Sequence, residues 1–289
     1  MIEVPTVRRR LLGAELRRLR EAAGFALDDA ARILECDRSK ISRIETGHRG
    51  VRPKELRELL AEYGVEEKRR YALADLARRA GNRGWWQDYG TILTGPFLDY
   101  IGLEAGAASL WTYEAHVVPG LLQTEDYVRA VAAAGPPKAA KREHDRFQDQ
   151  SVAVLMSRQQ VLTREDSPLH YRAIVSEAVL RRLVGGPEVM RAQLERLLEV
   201  GATLPNVTVQ VLPFAAGAPA AHTGTFGVLM FPEPAELAVV YLDSLTGGLF
   251  LEEPKDVELH VLAHEHLRAA ALPAQESAEL IEKTARELG

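Results

Sequence analysis

Residues 27–47 read Leu27-Asp28-Asp29-Ala30-Ala31-Arg32-Ile33-Leu34-Glu35-Cys36-Asp37-Arg38-Ser39-Lys40-Ile41-Ser42-Arg43-Ile44-Glu45-Thr46-Gly47. Leu27, Ala30, Ala31 and Leu34 fall at i, i+3, i+4 and i+7, the spacing of one helical face. Glu35-Cys36-Asp37 interrupts that run, and Asp37 stands where a second helix takes its N-cap. In that second helix Ile41 and Ile44 point inward, leaving Arg38, Ser39, Lys40, Ser42 and Arg43 outside. Gly47 follows as the permissive residue of a helix C-terminus. A short helix with two apolar anchors and a basic, hydroxyl-rich face suits a DNA major groove. There Arg makes bidentate bonds to guanine, and Ser bonds to base edges or phosphates. The competing reading is an αα-hairpin whose outer face is merely solvated.

Charge separates the two readings. The 289 residues carry a formal net charge of −5, the wrong sign for a DNA binder taken whole. Residues 1–84 hold 20 Lys+Arg against 14 Asp+Glu, a balance of +6, and the remainder holds 16 against 27, a balance of −11. The basic end is where phosphates would be met. Length suggests two domains at ~150 residues each, and the composition shift near Gly84-Trp85-Trp86 places them at 1–83 and 84–289. No apolar run approaches the ~18 residues of a membrane span, and no signal-peptide pattern follows Arg8-Arg9-Arg10. The single cysteine, Cys36, excludes an intrachain disulfide and a cysteine-based metal site. The expectation is a cytoplasmic chain.

Around the opening stretch the spacing predicts three more helices. One spans about Arg8–Ala23 with Leu12, Leu16, Leu19 and Ala23 aligned. One starts at Pro53 and buries Leu56, Leu59, Leu60 and Tyr63. One spans Glu66–Ala80 with Leu73, Leu76, Ala77 and Ala80 on one side. Five short helices make an all-α domain.

The run from Leu16 to Tyr63 resembles a Cro/λ-repressor-type helix-turn-helix domain of the xenobiotic-response-element class. The resemblance rests on Leu-Arg-x-Leu-Arg-x-x-x-Gly in the first helix, Ala-Ala-x-x-Leu in the second, and Arg-Ser-Lys-Ile-Ser-Arg-Ile-Glu-x-Gly at 38–47. It implies that Arg38, Ser39 and Arg43 read base edges, that Lys40 meets the DNA backbone, and that Glu45 pairs with Arg20. One departure stands out: Asp28 and Asp29 occupy the start of the second helix, where many members carry a Gln, Ser or Thr that bonds a phosphate. Two carboxylates suit a helix N-terminus but repel a phosphate, so Arg8, Arg49 and Arg52 are expected to supply the backbone charge.

The second half reads as mixed α/β (α+β). Helical character is expected over Gly102–Glu114, from Thr124 to Val131, over Ala139–Thr163, Glu177–Val184 and Glu188–Glu199, and at Val257–Ala271 and Ser277–Leu288. Strands are expected at 170–175, 207–212, 224–231, 237–242 and 250–251. The runs 100–104 (Tyr-Ile-Gly-Leu-Glu), 118–127 (Val-Pro-Gly-Leu-Leu-Gln-Thr-Glu-Asp-Tyr), 158–162 (Arg-Gln-x-Val-Leu) and 211–217 (Val-Leu-Pro-Phe-Ala-Ala-Gly) are similar to a domain of undefined role. That domain follows the helix-turn-helix in many actinobacterial, antitoxin-like regulators. The resemblance implies a dimer on an inverted-repeat operator in double-stranded DNA, and a small partner protein encoded beside it.

Catalytic signatures are missing. There is no Gly-x-Ser-x-Gly, His-Glu-x-x-His or phosphate-binding Gly-x-x-x-x-Gly-Lys-Ser/Thr, so neither an enzyme nor a cofactor is expected. His260 and His264 share a helical face at i, i+4 as zinc ligands do, with His266 off it. A solvated helix is the plainer reading. Glu104, Glu114, Asp243, Glu252 and Glu253 are too ordinary as residues to single out an acid–base pair. Asp243, closing the apolar run 239–242, and His222, in the small-residue loop 214–224, are the candidate ligand or partner contacts.

Overall fold

The computed structural model describes residues 7–81, 85–89, 93, 95–134, 141–231, 237–244 and 247–289. The chain divides into two compact units, Met1–Trp85 with Phe231–Leu237, and Trp86–Met230 with Ala238–Gly289.

The first unit is all-α: α1 (Val7–Ala22), α2 (Leu27–Ile33), α3 (Arg38–Glu45), α4 (Pro53–Glu62) and α5 (Glu67–Gly81). Its interior is the stripe that the 3.6-residue period lays out, including Leu12, Leu16, Ala30, Ile41, Ile44, Leu56, Leu59, Leu60 and Leu73, all at most 5% exposed. Each of the Leu and Ile side chains among them contributes roughly 1.5–3 kcal/mol on burial.

The second unit is a six-stranded mixed sheet with helices on it. In chain order its elements are α6 (Gly95–Glu104), β1 (Ser109–Glu114), α7 (Glu125–Ala134), α8 (Lys141–Arg158), β2 (His170–Ser176), α9 (Glu177–Arg181) and α10 (Pro187–Thr203). These are followed by β3 (Val207–Leu212), β4 (Phe226–Met230), β5 (Ala238–Leu242), β6 (Leu249–Leu251), α11 (Pro254–Ala270) and α12 (Ala274–Arg286). The strand order is β3-β2-β1-β4-β5-β6. β3, β2 and β1 run parallel, joined by helical crossovers as parallel pairing requires, while β4, β5 and β6 are antiparallel. One face packs Tyr113, Ile174, Leu212, Phe226, Val228 and Val240 against Leu267 of α11. The alternate residues Leu110, Thr112 and Glu114 lie on the other face.

One expectation fails here. The helix anticipated over Gly102–Glu114 is the end of α6, which stops at Glu104, and Ser109–Glu114 is the central strand β1. Leu-Trp-Thr-Tyr is strand-favouring, and pairing on both sides, with β2 and β4, overrides the local helical spacing. Arg164 secures the turn between them, donating to the carbonyls of Ala105 (2.7 Å) and Ala107 (3.1 Å). The Gly135-Pro136-Pro137 loop lies outside the described residues.

Candidate functional site

In the helix-turn-helix, α3 lies on α1 with almost nothing between them. A Cβ added at Gly13 of α1 would sit 2.5 Å from the carbonyl oxygens of both Ile44 and Glu45. Gly47, at φ +75°, ends the recognition helix where a Cβ would meet the Arg10 backbone at 2.8 Å. Arg20 and Glu45 then lock the crossing: Nε donates to Oε1 at 2.7 Å and Nη2 to Oε2 at 3.0 Å, with both side chains buried. The Glu45 hydrogen bond outweighs burial and holds the Arg20 pKa above its ordinary value. Nη1 donates to the Phe25 carbonyl at 2.8 Å, so the same guanidinium fixes the entry into α2.

This scaffold leaves Arg38, Ser39 and Arg43 exposed, with Arg49 and Arg52 in the following loop exposed as well. Arg43 Nε rests on the Ser39 carbonyl at 3.2 Å. The Arg8 side chain lies outside the described residues. The Lys40 side chain is only 17% exposed, and its ammonium donates to Glu55 of α4 at 2.7 Å. A phosphate contact from Lys40 would have to break that bond. The hydrogen bonds from Lys40 and from the Arg52 backbone hold Glu55 below its usual pKa although burial opposes them.

Asp37 sits at the N-cap of α3 without a side-chain capping bond; its backbone carbonyl accepts the Lys40 N–H at 2.9 Å. At the start of α2 a side-chain cap does form: Asp29 accepts the Ala26 N–H at 2.7 Å and pairs with Arg32. Its charge serves the N-terminus of α2 rather than facing a phosphate. Asp28 lies 3.8 Å from Arg38 in an exposed pair, which contributes little.

The second unit holds a chamber that no local pattern announced. Glu114 closes β1. Ala115 N donates to the Thr225 hydroxyl at 3.3 Å, and the antiparallel registers Tyr113↔Phe226 and Gly227↔Tyr241 bring Thr225 and Asp243 to the same level on neighbouring strands. Beneath them is a cavity of about 300 Å³ lined by Phe97, Tyr100, Tyr171, Tyr241 and Arg158 among others. It shares Glu114, Thr225 and Asp243 with an outer cleft of about 930 Å³ bordered by His116, His222 and His260. Gly227 contributes no side chain to the floor; a Cβ there would touch Leu110 and Thr112 at 3.5 Å.

Arg158 and Glu104 form a second buried bidentate pair, with Nε to Oε1 at 2.8 Å and Nη2 to Oε2 at 2.7 Å. Burial works against the Arg158 charge, but Glu104 raises its pKa further still. The guanidinium lies 5.1 Å from the Phe97 ring and 5.2 Å from the Tyr100 ring, and Tyr100 stacks on Tyr241 at 4.3 Å. Burial first, then the Asp243 carboxylate, push Glu114 up to about 8. One wall is the run 118–124, held by Gln193, which donates to the Leu122 carbonyl at 2.8 Å and accepts the Thr124 N–H at 2.7 Å. Gln159 donates to the Gln123 carbonyl at 2.7 Å.

Of the sequence candidates, Asp243 and His222 are both exposed and border the same cleft. Glu104 is consumed by Arg158, while Glu252 and Glu253 do not line it. The histidines of α11 do not assemble. His264 is fully buried against Trp111 at 5.2 Å, His260 packs edge-on to Phe226 at 5.2 Å, and His266 is exposed. Among the described residues no group of three His, Cys, Asp or Glu is placed to hold a metal ion, and no helix is long and apolar enough to cross a membrane.

Comparison with known families gives two matches. Residues 11–73 match a helix-turn-helix domain, and residues 97–283 match a domain of unknown function, DUF5753. No curated protein and no solved structure matches the chain. The helix-turn-helix supports a DNA-binding regulator rather than an enzyme, and the second match spans most of the sequence: the chain belongs to the DUF5753 family, with a helix-turn-helix domain preceding it.

Proposed function

We propose that this chain is a sequence-specific transcriptional regulator of the Cro/λ-repressor type, with a DNA-binding domain at 1–83 and a second domain at 84–289. The second domain binds a small effector or protein partner, and the regulator works as an antitoxin-like homodimer. The observation that carries the reading is the exposed Arg38, Ser39 and Arg43 on a helix locked to α1 by Arg20–Glu45. In this reading Arg38, Ser39 and Arg43 meet base edges, and Arg8, Lys40, Arg49 and Arg52 the phosphates, Lys40 by exchanging its bond to Glu55 for one to DNA. Sequencing the DNA that co-precipitates with the protein yields the operator. On it, Arg43→Ala costs ~1–3 kcal/mol and relaxes one base position. Wild-type affinity in that variant sinks the assignment.

The −11 balance after residue 84 favours a second reading, in which restraining a basic partner protein comes first and DNA binding serves autoregulation. Co-expression with the neighbouring small reading frame, followed by purification on one tag, separates the two.

A further inference from the structure

The Glu114 chamber gathers acidic groups without a cation of their own. Glu114 and Asp243 line it, and Arg158, the cation lining it among the described residues, is bidentate to a third carboxylate, Glu104. Glu114 and Asp243 therefore face a common space with no positive partner of their own among the described residues. Asp243 accepts from the Tyr241 hydroxyl at 3.3 Å and from the Ser244 N–H at 3.0 Å, and neither bond cancels charge. The remaining walls are aromatic and apolar: Phe97, Tyr100, Tyr171, Leu110 and Val118. A site of this size with few polar groups in an apolar lining is of the kind that takes small organic ligands. It opens at the carboxyl end of β1, where strand pairing changes from parallel to antiparallel, the type of place where α/β sheets bind ligands.

Charge chooses the ligand. An anion would meet the Asp243 carboxylate, a Glu114 that gains a second negative charge beside it on ionising, and an arginine already in use. A hard divalent cation needs six or more oxygen ligands, which tyrosine and phenylalanine rings do not offer. A protonated amine needs one or two carboxylates for its head and an apolar wall for its body, and the chamber has both.

We propose that the Glu114–Asp243 chamber binds a small organic cation, a primary ammonium on an apolar or aromatic body, with the head between the two carboxylates and the body along the tyrosines. This rests on the reading of the second domain as effector-binding and names its ligand class. Binding displaces the proton that Glu114 holds. The groups facing Glu114 are Asp243 and Tyr241 from β5, Tyr171 from β2, Tyr100 and Glu104 from α6, and Arg158 from α8. His116, His222 and His260 stand across the outer cleft.

The test is titration calorimetry on the full chain with 2-phenylethylamine, against 2-phenylethanol and phenylacetate as neutral and anionic controls of similar shape. The amine binds at least tenfold more tightly than either control. At about pH 7.5, buffers of different ionisation enthalpy reveal proton release, and the affinity rises severalfold toward pH 8.5 as Glu114 ionises. Glu114→Gln removes the proton release and weakens the amine about tenfold. Asp243→Asn, a change at an exposed side chain, weakens it without risk to the fold. No heat with millimolar amine, equal binding of the alcohol, or an unchanged affinity in both variants overturns the proposal. Operator binding is scored on the same preparation. A chain that binds operator but no amine lacks this ligand, whereas one that binds amine but no operator keeps the chamber and loses the regulator reading.

Discussion

Glu35, in the turn between α2 and α3, adopts φ 47°, a left-handed conformation that an L side chain enters at a cost of about 1 kcal/mol. Glycine relieves that strain but adds freedom to the unfolded chain. Glu35→Gly is expected to stabilise the protein by up to ~1 kcal/mol in urea unfolding, with operator affinity unchanged. His264 gives a second residue-scale test. It is sealed in beside Trp111, without a well-formed hydrogen bond on either ring nitrogen, and burial lowers its pKa from 6.5 to about 4. The folded protein therefore refuses a proton that the unfolded chain accepts between those values. Stability from this residue is whole above about pH 6.5 and falls as the pH drops toward 4, by ~3 kcal/mol in all. Below that the loss stops, because the native ring protonates too. His264→Phe flattens this part of the profile; equal wild-type and variant slopes in denaturation at about pH 7 and 4.5 would contradict it.

At the scale of elements, the contact of α1 with α3 decides how firmly the reading helix is held. Because backbone carbonyls lie 2.5 Å from the position of a Cβ on Gly13, Gly13→Ala must push the helices apart. We expect a loss of ~1–3 kcal/mol in thermal unfolding and at least tenfold in operator affinity. Gly50→Ala, which meets nothing within 4 Å, serves as the control and should be near neutral. The residues of α3 were legible in the sequence because the chemistry is contiguous: Arg38 to Gly47 is one helix and its stop. Gly13 was not, since its role exists only where another helix crosses it. β1 was misread because Leu103 to Glu114 satisfies local helical spacing, and its strand identity comes from His170–Ser176 and Phe226–Met230. The chamber was the least legible part. Glu104, Glu114, Arg158 and Asp243 sit on α6, β1, α8 and just past β5; the apolar run 239–242 marks Asp243, but among 41 acidic residues nothing local marks Glu104 or Glu114.

For the whole molecule, the proposed dimer makes a prediction about operator spacing. A dimer of helix-turn-helix units meets half-sites one helical turn apart, about 34 Å. Inserting about five base pairs between the half-sites turns one onto the opposite side of the duplex. Affinity in a gel-shift titration should fall more than tenfold, while an insertion of about ten base pairs restores part of it. A titration indifferent to spacing would exclude the symmetric dimer. The strand order has a further consequence, for the time at which the protein becomes complete. β2 and β3, on one side of β1, are the next strands in the chain after α7 and α8, but its other neighbour, β4, and the aspartate beyond β5 come later still. During synthesis the helix-turn-helix is finished first, and Glu114 waits on an open sheet edge until Phe226–Met230 arrives. A chain interrupted in that interval carries a finished helix-turn-helix beside a half-built second unit, with the chamber still open.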